Sequence, residues 1–124
     1  MFDHISIGVR DIARSKTFYD AALQALGYRR LSEGDYSLGY GKEAVAFWIG
    51  ATNFPVPDDP KSGLHFCFVA PDRDSVARFH AAALAAGGRD NGKPGIRADY
   101  RADYFAAYVI DPDGYRLEAL HLGA

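Results

Sequence analysis

The chain has 124 residues, with 14 lysines and arginines against 16 aspartates and glutamates, a formal net charge of −2 with its four histidines neutral. An apolar share of 48% with 14% aromatic residues supplies the core of a single domain and excludes a disordered chain. The balanced charge leaves no footprint for nucleic acid or an anionic membrane surface, and no apolar run is long enough for a membrane span. The N-terminus shows no signal pattern, so the expected location is the cytoplasm. Cys67 is the only cysteine, which excludes an intrachain disulfide and a thiolate-based metal site.

In chain order, His4–Val9 predicts a strand with Ile5, Ile7 and Val9 on one face and His4, Ser6 and Gly8 on the other. A helix follows near Ile12–Leu26, capped by Asp11 and closed by Gly27. Three short strands are expected near Tyr28–Ser32, Tyr36–Tyr40 and Glu43–Ile49. Residues 51–62, with Pro55, Pro57 and Pro60, read as a connector. A strand at Leu64–Val69 and a helix near Asp74–Ala86 come next, with Asp72 as cap and Gly88 as the left-handed exit. Only a weak strand is expected after Gly88, and Arg89–Asp103 reads as a long connector and candidate lid. Strands at Tyr104–Ile110 and Tyr115–His121 flank the turn Asp111-Pro-Asp-Gly114.

The second half repeats the first. Sliding the sequence by 61 residues lays His4–Gly27 on His65–Gly88 without a gap, and eight of the 24 pairs are identical, among them His4/His65, Asp11/Asp72 and Phe18/Phe79. The chain is therefore read as one domain, 1–124, made of two repeats, about 1–50 and 63–124. A sixty-residue half alone buries only about 60% of its unfolded surface, so the connector is not read as a boundary between independent domains.

Two histidines at the same place on the first strand of each half converge if the halves pair about a pseudo-twofold axis. Glu118 lies on the polar face of the last strand, opposite Leu117 and Ala119. Two imidazoles and a carboxylate suit one divalent ion, iron, manganese, nickel or zinc, with positions left open for substrate. Around such a site, Trp48, Tyr36, Tyr40, Tyr100 and Tyr104 are candidates for an aromatic wall, and Arg97 and Arg101 for meeting an anionic group. Tyr104 and Glu43 are the candidates to move a proton.

Nearly the whole chain resembles the vicinal oxygen chelate superfamily, which includes glyoxalase I, fosfomycin-resistance enzymes, extradiol dioxygenases, epimerases and bleomycin-resistance proteins. The resemblance rests on the two βαβββ modules, on Phe2-Asp-His-Ile-Ser-Ile-Gly-Val9, on Ser15-Lys-Thr-Phe-Tyr19 and on Asp111-Pro-Asp-Gly-Tyr-Arg-Leu-Glu118. It implies an α+β fold whose eight strands form an open, cup-shaped mixed sheet with the helices outside. It also implies His4, His65 and Glu118 as metal ligands, a small-molecule substrate and a homodimer. Glyoxalase I enzymes use a fourth ligand from the last strand of the first module; a gapless alignment puts Val45 or Phe47 opposite Glu118, so this chain looks more like the three-ligand members. The leading expectation is a metal-dependent lyase, isomerase or dioxygenase. The alternatives are a metal-free ligand-binding protein of the bleomycin-resistance type and, third, a fosfomycin-type enzyme using Lys93, Arg97 and Arg101.

Overall fold

The computed structural model describes all 124 residues, Met1–Ala124. Both halves run strand, helix, three strands. The first holds β1 (Ile5–Val9), α1 (Ile12–Gln24), β2 (Arg29–Glu33), β3 (Ser37–Gly41) and β4 (Val45–Ala51). The second holds β5 (Phe66–Val69), α2 (Arg73–Ala85), β6 (Arg89–Ile96), β7 (Tyr104–Ile110) and β8 (Arg116–Leu122). The connector carries one 3₁₀ turn, Pro60–Ser62.

Both helices begin at the expected aspartates. Asp11 Oδ1 accepts from the Arg14 amide at 3.0 Å, and Asp72 Oδ1 accepts from the Ser75 amide at 2.7 Å in a capping box. Gly27 closes α1 with φ +87°. The exit of α2 differs from expectation, because Gly87 takes the left-handed conformation, at φ +103°. Gly88 is needed for space instead: a Cβ there would lie 2.6 Å from the Phe18 ring.

Each half forms a four-stranded mixed sheet, ordered β1-β4-β3-β2 and β5-β8-β7-β6. No ladder joins the two sheets, so the expected eight-stranded cup is present as two open halves, with β1 and β5 each leaving an edge unpaired. One face of each sheet packs into a shared core. Twenty buried residues from both halves make a single cluster, including Phe18 and Tyr19 of α1, Phe79 of α2, Ile49 of β4 and Leu117 of β8. The Phe47 ring meets Phe66 and Phe68 at centroid distances of 6.0 and 5.4 Å, which ties β4 to β5 across the seam. Polar links reinforce it. Tyr19 donates to Asp111 at 2.5 Å and Tyr115 to the Gly8 carbonyl at 2.7 Å.

Two readings of the sequence are corrected here. Arg89–Asp103 is not one long loop, because Arg89–Ile96 forms β6 and only residues 97–103 lead into β7. Its register breaks around Gly92 and before Gly95, and two glycines with a proline hide the strand pattern. The second correction concerns the counterpart of Glu118. Ser6 is in register with Trp48, and Cys67 with Glu118. Ser6 and Cys67 are equivalent in the repeat, so Trp48, rather than Val45 or Phe47, stands where Glu118 stands. The turns before β4 and β8 differ in length and the β3–β4 ladder slips at Gly41, both invisible to a gapless alignment.

Candidate functional site

Glu118 sits in the middle of β8, in register with Cys67 on one side and Tyr108 on the other, and all three belong to the sheet face turned away from the core. Its side chain is only 3% exposed. A carboxylate removed from water needs partners. Oε1 lies 3.0 Å from Nε2 of His65, and Oε2 accepts a 2.5 Å hydrogen bond from the Tyr104 hydroxyl. Burial, and then the hydrogen bond to Glu118, push the Tyr104 phenol above its ordinary range, so it holds its proton at neutral pH. Burial, and then the charge of Glu118, push Tyr108 up to about 12, and the same two causes do so for the Cys67 thiol. A cavity of about 550 Å³ opens over the pair, walled by Tyr100, Tyr104, Tyr108 and Arg116. Tyr100 packs edge-on against Tyr104 at 5.0 Å.

His4 is held differently. It precedes β1, its side chain is 49% exposed, and Nδ1 lies 2.6 Å from the Asp3 carboxylate, which leaves Nε2 free. A carboxylate behind one ring nitrogen fixes the tautomer and leaves the other nitrogen as a donor for a ligand. His4 and His65 both border a second cavity, about 840 Å³, at the seam between the halves.

The metal set expected from the sequence is thus only partly assembled in one chain. No group of three His, Cys, Asp or Glu residues gathers at metal-binding distances. The pair that does form fits a metal, since donors bound at about 2.1 Å and at a right angle stand about 3.0 Å apart, the His65–Glu118 separation. Two donors fit, and the third has to be brought to them.

The remaining candidates divide. Tyr100 and Tyr104 wall the Glu118 cavity as expected. Trp48 is on the open face of the first sheet, beside Gly39 and Ser6. Tyr40 faces the core, with Phe47 as its register partner, 1% exposure and its hydroxyl donating to Asp20 at 2.7 Å, and it borders the seam cavity of His4 and His65 rather than the Glu118 cavity. Glu43 lies exposed in the turn before β4 and borders the seam cavity with His4, not the cavity of Tyr104. Arg97 is spent on the carbonyls of Gly95 and Lys93 and on the Tyr108 ring, and Arg101 makes a two-pronged pair with Asp103. Tyr36 is exposed between β2 and β3. Sequence reasoning missed Tyr108 and Asp3. Tyr108 was readable from its even spacing with Tyr104 on β7, and Asp3 from its place beside His4.

Comparison with known proteins adds a family. The model for the Glyoxalase/Bleomycin resistance protein/Dioxygenase superfamily matches residues 1–119. The chain is 32% identical over 126 aligned residues to "Probable lactoylglutathione lyase, chloroplastic" of Arabidopsis thaliana; the match covers 97% of this chain and 35% of that protein, so the chain spans about a third of its relative. Among solved structures, a glyoxalase/bleomycin resistance protein from Albidiferax ferrireducens T118 superposes with a TM-score of 0.86 at 34% identity, covering 98% of each chain. A fosfomycin resistance protein from Listeria monocytogenes superposes at 0.71 with 13% identity over 97% of this chain and 91% of its own, a likeness of fold alone.

Proposed function

Because the chain belongs to the glyoxalase/bleomycin resistance protein/dioxygenase superfamily, we propose that it is a metal-dependent enzyme that takes a small substrate through two adjacent oxygens. The observation that carries this reading is the His65–Glu118 pair, a buried carboxylate and an imidazole at 3.0 Å on an open sheet face. The third donor in this reading is His4 of a second copy. Each sheet leaves one face uncovered and the outer edges of two strands unpaired, and in the proposed homodimer the first sheet of one chain meets the second sheet of the other. The donor set stays at three side chains, because Trp48 occupies the position equivalent to Glu118.

An iron, manganese, nickel or zinc ion held there would supply Lewis acidity at the substrate oxygens. The chain's own groups do the rest. Tyr104 keeps its proton and, beside Glu118, is placed to hydrogen-bond a substrate oxygen or hand that proton on. Tyr100, Tyr104 and Tyr108 wall the cavity. Lyase, isomerase and dioxygenase chemistry all fit this arrangement, and the lactoylglutathione lyase relative favours the first.

A second reading, a metal-free ligand-binding protein of the bleomycin-resistance type, draws support from one observation: His65 and Tyr104 already satisfy Glu118 without an ion. A fosfomycin-type enzyme draws little, since Arg97 and Arg101 are engaged elsewhere and only Lys93 of its three cations is left. Elemental mass spectrometry on the untagged protein, with a His4→Ala/His65→Ala control, separates the readings. Near-stoichiometric metal lost in the control supports the enzyme. Metal no higher than the control after reconstitution overturns it in favour of the binding protein.

A further inference from the structure

We propose that Trp48 selects the substrate of this site, and that the class it selects carries a flat conjugated group, an arene or a conjugated ketone, next to its paired oxygens. The inference rests on the metal-site reading above and names the substrate class that reading leaves open.

The argument is one of register. Ser6, Trp48 and Gly39 form one row across the first sheet, as Cys67, Glu118 and Tyr108 do across the second. In the homodimer proposed above, where the first sheet of one chain meets the second sheet of the other, this equivalence sets Trp48 of one copy across the cup from Glu118 of the other. The indole is bedded on the sheet beneath it. A Cβ on Gly39 would stand 2.8 Å from Cζ3 of Trp48 and 2.9 Å from Cγ1 of Val45, so a glycine is needed for the ring to lie there. Trp48 is only half-buried, and its Nε1–H makes no hydrogen bond within the chain. Val45 flanks the ring over Gly39, but the other neighbours on its face are small, Ser6, Gly8, Ala46 and Gly50, and the ring stays only half-covered. A large aromatic surface with an unused donor, bedded on one side and open on the other, gains from stacking on a planar group and gains little from an aliphatic one.

The test uses zinc-loaded protein and two probes that chelate through adjacent oxygens: tropolone, which is planar and conjugated, and acetohydroxamate, which carries only a methyl group. The chain has one tryptophan, so its ¹⁵N spectrum contains a single indole N–H signal to follow. Tropolone is expected to shift that signal and acetohydroxamate to leave it nearly unmoved. By calorimetry, Trp48→Leu should lose about three- to tenfold in tropolone affinity with acetohydroxamate unchanged, and Trp48→Phe should recover most of the loss. An indole signal that tropolone does not move, or an equal loss for both probes in Trp48→Leu, overturns the assignment while zinc is bound. Should Trp48→Leu not fold, the wild-type shift decides. Wild-type protein that takes up no zinc overturns the metal reading and this inference with it.

Discussion

The hydroxyl of Tyr104 donates to Oε2 of Glu118 at 2.5 Å, on the oxygen that His65 leaves free. The phenol thus completes the shell of a carboxylate that has almost no water. Tyr104→Phe removes the donor and leaves one oxygen unpaired. Metal-free protein should lose about 1–3 kcal/mol in urea unfolding, while zinc stoichiometry stays that of the wild type because the phenol is not a donor to the ion.

Glu118→Gln separates charge from shape. The amide still has an acceptor for Tyr104 and a donor for His65, so the fold should persist with a change in stability of about 1 kcal/mol or less. Its neutral oxygen is a far weaker ligand, and zinc affinity should fall at least tenfold by competition with a chromogenic chelator.

Asp111 gives a pH signature with an unusual sign. It follows β7, is 1% exposed, and accepts from Tyr19, Tyr115 and Asp113. Burial outweighs those hydrogen bonds and raises its pKa from 3.8 to about 6. The folded state therefore holds this proton more tightly than the unfolded chain. The cost of ionising Asp111 is fully present above about pH 6, is relieved as pH falls toward 3.8, and is constant below that; it is on the order of 3 kcal/mol. Depressed carboxylates such as Asp72 and Asp90 act in the opposite direction, so the wild-type profile alone does not isolate it. The unfolding free energy of Asp111→Asn minus that of wild type should fall as pH drops from 7 to 4, and a flat difference would contradict the assignment.

Gly39→Ala should lift the indole from its bed. The added Cβ falls 2.8 Å from the ring of Trp48 and 2.9 Å from Val45, an overpacking that costs about 1–3 kcal/mol. Emission of the single tryptophan should move to longer wavelength as the ring gains water, without loss of the His65–Glu118 pair or of zinc uptake.

Much of this was legible in the sequence. The apolar alternation at Ile5, Ile7 and Val9 fixed the core face of β1, and Tyr104–Ile110 is the strand the pattern predicts. His65 and Glu118 were readable from repeat and parity because Glu118 lies on a strand without a bulge and His65 directly precedes one. Where the chain departs from regular pleating, the reading failed. The glycines and proline of β6 hid a strand, and the slip at Gly41 with the unequal turns concealed that Trp48 is the counterpart of Glu118. Where His4 belongs is a question of which surfaces meet, and local periodicity carries no information about that.

The central claim, a metal site shared between two copies, is tested most directly by complementation. A His4→Ala chain and a His65→Ala chain, differently tagged, are co-expressed and the mixed dimer is purified through both tags. If His4 of one copy serves His65 and Glu118 of the other, the mixed dimer contains one intact site and should bind about half the metal of the wild-type dimer, while neither variant alone binds any. Metal in the mixed dimer no higher than in the two parents, alongside a loaded wild type, would contradict the shared site and place all three donors within one chain.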